Sequence, residues 1–472
     1  MTSANSAPDP GALCAALGRH ADARLTTTDD LVRGPWANPV TWRQPVHTVY
    51  VPAHLMTGAT RDPQIARTWG DAALAALESY GSATGLALAL GVPEQDAATV
   101  GALTVAKLQR EPVEDLRIDF EDGFTQRGVP LEDRDSDEDA RAAEAADILA
   151  DWLDADGSGT TGERPGYAPA FAGIRFKSFD PAVRDRGLRT LVIVLSGLAG
   201  RGVLTKVLAN DPRALRLTLP KVQHHSQVET FVEILEQLEE SFGVPESTRI
   251  PFEVQVETPQ AIVGVKGEAE PARILAAGQG RILSLHYGTY DYSASLRVDA
   301  AEQSMEHPVA DHAKDVLQVA TTAVGVELSD GSTNRIPVGS PEQILDGWRI
   351  HHRLVTRHLR RAVRQGWDLH AHQLVTRHLA TIAYFRASWE VSAERLRDYV
   401  AGDETRWMDE PATAKAMSGY LLRAHACGAV TDEELATTGV SSRDLRTLLV
   451  TGRLQATVNT VERHHEHPNL PR

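Results

Sequence analysis

Eight short strand-like runs recur along this chain, the first of them β-branched, each parted from the next by enough residues for at least one helix. They fall at 46–52, 116–123, 174–179, 215–221, 252–256, 281–285, 326–331 and 366–370. Between them, 63–80, 94–109, 132–150, 181–198, 227–240, 307–324 and 341–364 carry helical patterns. Strands that alternate with helices pair in parallel, and eight such units close into a ring. The pattern predicts an α/β chain with a (β/α)8 TIM barrel over 45–403. An N-terminal extension over 1–44, with a helical run at 11–24, precedes it, and a helical C-terminal segment over 404–472 follows. The Gly- and Ser-rich stretch 156–162 reads as a surface loop.

At 472 residues, 42% hydrophobic and 24% charged, the chain has the make-up of a globular protein with ample core. No apolar run approaches the roughly 18 residues a membrane span needs, and the start lacks a signal pattern, so a cytoplasmic protein without membrane contact is expected. Two cysteines, Cys14 and Cys427, offer neither a disulfide framework nor a thiolate zinc site. A net charge of −16 with no basic stripe argues against nucleic acid, and any anionic substrate needs a local Arg, Lys or metal.

The ends of the runs carry the chemistry. Glu257 and Asp291 close two successive strands, where side chains of a parallel barrel converge on a ligand. Two such acids suit a hard dication such as Mg²⁺; singly, they read as a helix cap and a turn residue. Asp119, Glu121 and Asp122 crowd the end of the second run. Arg175 in the third is costly to bury unless it meets an anion or those acids, and Lys177 is expected on its face. Lys221 ends the fourth run and leaves a Schiff-base role open. The pairs His224-His225 and His351-His352 look like poor metal ligands, because neighbours on a helix point apart. Phosphate-loop, nucleophile-elbow and zincin motifs are absent, and no Gly-x-Gly-x-x-Gly run follows a strand.

The runs Val-Glu-Thr-Pro-Gln-Ala and Tyr-Gly-Thr-Tyr-Asp-Tyr-Ser-Ala-Ser-Leu resemble the aldolase and citrate-lyase beta-subunit family of the pyruvate/phosphoenolpyruvate barrels. The resemblance implies that Glu257 and Asp291 ligate Mg²⁺ or Mn²⁺, with Tyr292 standing where Leu is usual. It also implies that Asp119, Glu121 and Asp122 flank the metal, that Arg175 grips the substrate carboxylate, and that Lys221 acts electrostatically. His370 and Gln373 match a His-Pro-x-Gln-like run, with Ala371 in place of Pro. Further on, Asp409-Glu410-Pro411-Ala412-Thr413-Ala414 is similar to a malate synthase run whose acid is the catalytic base, which makes Glu410 the candidate. The competing reading is a helix start capped by Asp409.

The implied function is a metal-dependent carbon–carbon lyase or condensing enzyme acting on a 2-oxo or hydroxy acid through a stabilised enolate. Its partners would be a small carboxylate, with an acyl-coenzyme A left open, and further copies of itself in a homo-oligomer. A Lys221 Schiff-base aldolase and a barrel that binds a carboxylate without turnover are the alternatives.

Overall fold

A computed structural model describes residues 9–34, 40–154, 168–402, 406–407 and 409–454. Eight parallel strands run in the order β7-β6-β5-β4-β3-β2-β1-β8. They are β1 (Thr48–Pro52), β2 (Asp115–Asp119), β3 (Phe171–Arg175), β4 (Leu215–Val222), β5 (Phe252–Val256), β6 (Ile282–Tyr287), β7 (Glu327–Ser329) and β8 (Trp367–Asp368). The ring closes where Ser329 bridges Gln365, with Asp330 N donating to Gln365 O and Trp367 N to Gly331 O. The expected (β/α)8 barrel is the observed fold. The loop expected at 156–162 lies outside the described residues.

Alternation within each strand sorts the side chains. On β5, Phe252, Val254 and Val256 face the helices, and Phe252 meets Phe231 with ring centroids 4.9 Å apart. That helix, His225–Ser241, buries Val228, Phe231, Val232 and Leu235 at helical spacing. The other β5 face points inward. Glu253 joins Arg117 (Nη2 to Oε2, 2.6 Å) and Arg216 (Nη1 to Oε1, 3.3 Å), all three fully buried. Charges that neutralise one another therefore fill much of a barrel interior that usually holds bulky aliphatics.

Strand β3 begins three residues earlier than expected and ends at Arg175. Gly173 is what lets β3 and β4 approach: a Cβ there would lie 1.6 Å from the Arg216 carbonyl oxygen. The helix of the N-terminal extension runs longer than expected, Pro10–Arg33, and buries no residue. Among the described residues no single helix is long and apolar enough to cross a membrane.

Candidate active site at the strand ends

The C-terminal ends of β2 to β6 bring most of the expected residues together. Arg175 pairs in register with Asp119 across β2 and β3, and its Nε and Nη2 each donate to that carboxylate at 2.7 Å. Asp119 also accepts from the amides of Glu121 and Gly123, so it is fully engaged in holding the guanidinium. The guanidinium lies 4.5 Å from the Tyr50 ring centroid. Its remaining nitrogen, Nη1, has only the longer contacts, 3.5 Å to Gln255 and 3.7 Å to Glu121.

Lys221 is aimed by a local irregularity. Leu219 pairs with Val254 and Val222 with Val256, so β4 spends one extra residue at Pro220-Lys221. Lys221 takes φ +53°, a left-handed backbone unusual outside glycine. Its ammonium then reaches Asp122 (2.8 Å), Glu121 (3.2 Å) and Asp291 (3.2 Å). Burial works against its charge, but the three carboxylates outweigh burial and hold its pKa above the ordinary lysine value. A Schiff-base nucleophile needs the neutral amine, which this setting opposes.

Glu257 is the least satisfied group here. It is buried, and its Oε2 has no hydrogen-bond partner. Burial pushes its carboxyl up to about 8, with Arg175 opposing and Asp291 and Glu121 adding to the rise. Gly288 leaves the space it occupies, since a Cβ there would meet Glu257 Oε1 at 2.3 Å. Burial likewise raises Glu121 to about 7. Five carboxyls (Asp119, Glu121, Asp122, Glu257 and Asp291) thus share two cations, Arg175 and Lys221. The donor set fits a hard dication: it has excess negative charge, an orphaned buried oxygen, and a second carboxylate, Asp291, on the next strand end.

Three expectations change. Lys177 does not share a face with Arg175, because β3 has ended; its Nζ turns to Phe120 O (3.0 Å) and Glu138 (2.6 Å). No described contact joins Glu410 to the strand-end carboxylates. It is the exposed N-cap residue of the helix Pro411–Ala426, which reaches the opposite end of the barrel. Neither acid caps that helix: Glu410 makes no capping bond, and Asp409 pairs with Arg395. His224 and His225 do converge, since His224 is an extended cap residue rather than a helical one; with Glu270 they offer ligand atoms within 4.8 Å of one another. His225 is already engaged on both nitrogens, by Glu270 at 2.7 Å and Arg273 at 2.9 Å, so an arginine supplies the cation there.

His370 follows β8, half-buried, with its Nδ1 accepting from the His372 amide at 3.1 Å. No described contact joins it to the carboxylate cluster. Sequence reading passed over Tyr50 and Gln255, whose side chains bond to each other at 3.0 Å beneath Arg175. The signal was available: polar residues at every second position of an otherwise apolar strand, as in Glu253, Gln255 and Glu257.

Several solved structures are similar to this chain. A citrate lyase from Burkholderia xenovorans LB400 aligns at 17% identity and TM-score 0.49, covering 85% of this chain and 97% of its own. A Haloferax volcanii malate synthase in complex with magnesium and glyoxylate aligns at 13% identity and TM-score 0.46, covering 86% and 97%. A citrate lyase beta subunit from M. tuberculosis, complexed with oxaloacetate and magnesium, aligns at 16% identity and TM-score 0.36, covering 72% and 96%. No curated protein matches the sequence. A family model matches residues 25–451, and the chain belongs to that family, described as a domain of unknown function, DUF6986.

Proposed function

We propose that this chain is a Mg²⁺- or Mn²⁺-dependent carbon–carbon lyase or condensing enzyme acting on a 2-oxo or hydroxy acid. The observation that carries the reading is Glu257, buried with an unpartnered oxygen among an excess of carboxyls at the strand ends. Glu257 and Asp291 would hold the cation, which when bound supplies Lewis-acid polarisation of a substrate carbonyl.

The other residues have separate tasks. Arg175 is oriented by Asp119 and presents Nη1, its least engaged donor, to a substrate carboxylate. Lys221 stays charged and keeps Glu121, Asp122 and Asp291 in place. Glu121 lies within reach of both Arg175 and Lys221, and its raised proton affinity suits holding or moving a proton near neutral pH.

The test is exchange of the pyruvate methyl protons with deuterated solvent, followed by proton NMR. Exchange should require Mg²⁺ or Mn²⁺ and should vanish in Glu257→Ala, which should also lose Mn²⁺ binding by electron paramagnetic resonance. Exchange that persists in excess chelator, or borohydride trapping of pyruvate on Lys221, would defeat the metal reading. Intact Mn²⁺ binding without turnover of any 2-oxo acid would favour a binding barrel.

A further inference from the structure

At the opposite end of the barrel lies a cavity of about 1210 Å³. It is bounded by the segment before β1, the starts of β3 and β7, and the C-terminal helices Pro411–Ala426 and Ser442–Thr451. Its lining carries seven Arg or Lys against three acids, Asp211, Asp432 and Glu433, although the whole chain carries −16. Two of the cations, Arg43 and Lys107, are neutralised by Glu111 and Glu114 at 2.6–2.9 Å. Five arginines are not. Arg110, Arg213, Arg364, Arg423 and Arg446 all line the space, and none forms an ion pair with a described carboxylate.

Arg423 and Arg364 are the sharpest case. Arg423 Nε is sealed from solvent and has no hydrogen-bond partner. Burial, with the neighbouring Arg364 charge adding to it, pushes the Arg423 guanidinium down to about 10. Arg364 is held by neutral groups only, the Leu359 carbonyl (2.8 Å) and the Tyr384 hydroxyl (3.1 Å). Two like charges beside each other without a counter-ion cost stability unless something bound repays it. Arg213 stacks 4.4 Å over Trp42, which fixes its fork at the wall. Arg110 and Arg446 are exposed at the rim.

We propose that this cavity binds a small organic polyanion, phosphorylated or polycarboxylic, through Arg364 and Arg423 in the interior and Arg110, Arg213 and Arg446 around it. Planar guanidinium forks take oxyanions in pairs of hydrogen bonds, and arginines from several directions suit a ligand with several charged oxygens. The site is independent of the proposed metal chemistry, since it shares no residue with the strand ends at the other face of the ring. It is therefore a second site and not an extension of the first.

Isothermal titration of the full chain tests it. The probes are sodium pyrophosphate and sodium tricarballylate, used without divalent cations and against sodium chloride of equal ionic strength. Saturable binding of either is the expected result, and the probe that binds identifies phosphate or carboxylate as the recognised group. Arg364→Gln and Arg423→Gln should each weaken that binding at least about tenfold. Should either variant fail to fold, the exposed pair Arg110→Gln and Arg446→Gln should each weaken it about threefold. No saturable binding of either probe, or unchanged binding in every folded variant, would overturn the proposal.

Discussion

Arg175 illustrates how much of this site depends on shape as well as charge. Two of its nitrogens are committed to Asp119 and Nη1 has only longer contacts, so the planar fork decides where the least engaged donor points. Arg175→Lys keeps the charge and loses that geometry. We expect kcat/KM for metal-dependent exchange of pyruvate to fall about a hundredfold or more, with Mn²⁺ affinity changed less than about threefold. Comparable activity in the Lys variant would make the arginine a structural ion-pair member. Below it, Glu327 offers a pH test of the interior. Burial raises its carboxyl to about 7, partly offset by Arg216 and by the Trp42 indole. The folded chain therefore holds this proton more tightly than the unfolded chain. The stability it contributes is greatest below the ordinary carboxylate range and is lost as pH rises through about 7. The span corresponds to on the order of 3 kcal/mol. Melting curves from about pH 4.5 to 7.5 should show that decline, and it should become shallower in Glu327→Gln, with Glu121 and Glu257 supplying what is left.

Strands rather than helices decide where the chemistry goes. Gly173→Ala should be among the most damaging single-methyl additions in the chain, because the added atom meets the main chain of β4 and neither strand can retreat from the ladder. A loss of more than about 4 kcal/mol, or failure to fold, is expected by thermal melting followed by circular dichroism. The element pattern was readable because short strand-like runs and helical spacing alternate in ways local chemistry enforces; six of the eight runs needed no more than small changes at their ends. The start of β3 was not readable, since Gly173 weakens a strand by propensity and is tolerated here only for the close approach of β4. The convergence of Glu257, Asp291 and Arg175 could be anticipated because parallel strands end on one face. The reach of Lys221 could not. It depends on one surplus residue in β4, a matter of pairing that no local pattern records. The run around Glu410 is silent for a related reason, as a short motif carries no information about where its helix packs on the barrel.

Taken whole, the molecule has two ends with opposite electrostatic character. Carboxyls exceed cations at the C-terminal ends of the strands, and arginines exceed carboxylates in the lining of the cavity at the N-terminal ends. The helix Pro10–Arg33 belongs to neither, because it buries no residue. Removing residues 1–34 should therefore shift the melting temperature by less than about 2 °C and leave Mn²⁺ binding intact. A larger shift would show that the helix docks in solution. The ring itself is unequal around its circumference. β4 and β5 pair over most of their length, whereas β7 and β8 span three and two residues and meet through one bridge and two hydrogen bonds. Gln44 reaches across that junction from below, donating to Leu328 O and to Gln365 Oε1. A closed barrel is often pictured as having no beginning, yet this one has a clasp. In hydrogen exchange the amides of Asp330 and Trp367 should lose protection well before those of β2 to β5, and Gln44→Ala should hasten them further. Slow, uniform protection around the ring would show the clasp to be as tight as the rest. The arginine-lined cavity borders β7 and the approach to β8, so a ligand there would be felt first as a change in how often the ring comes open.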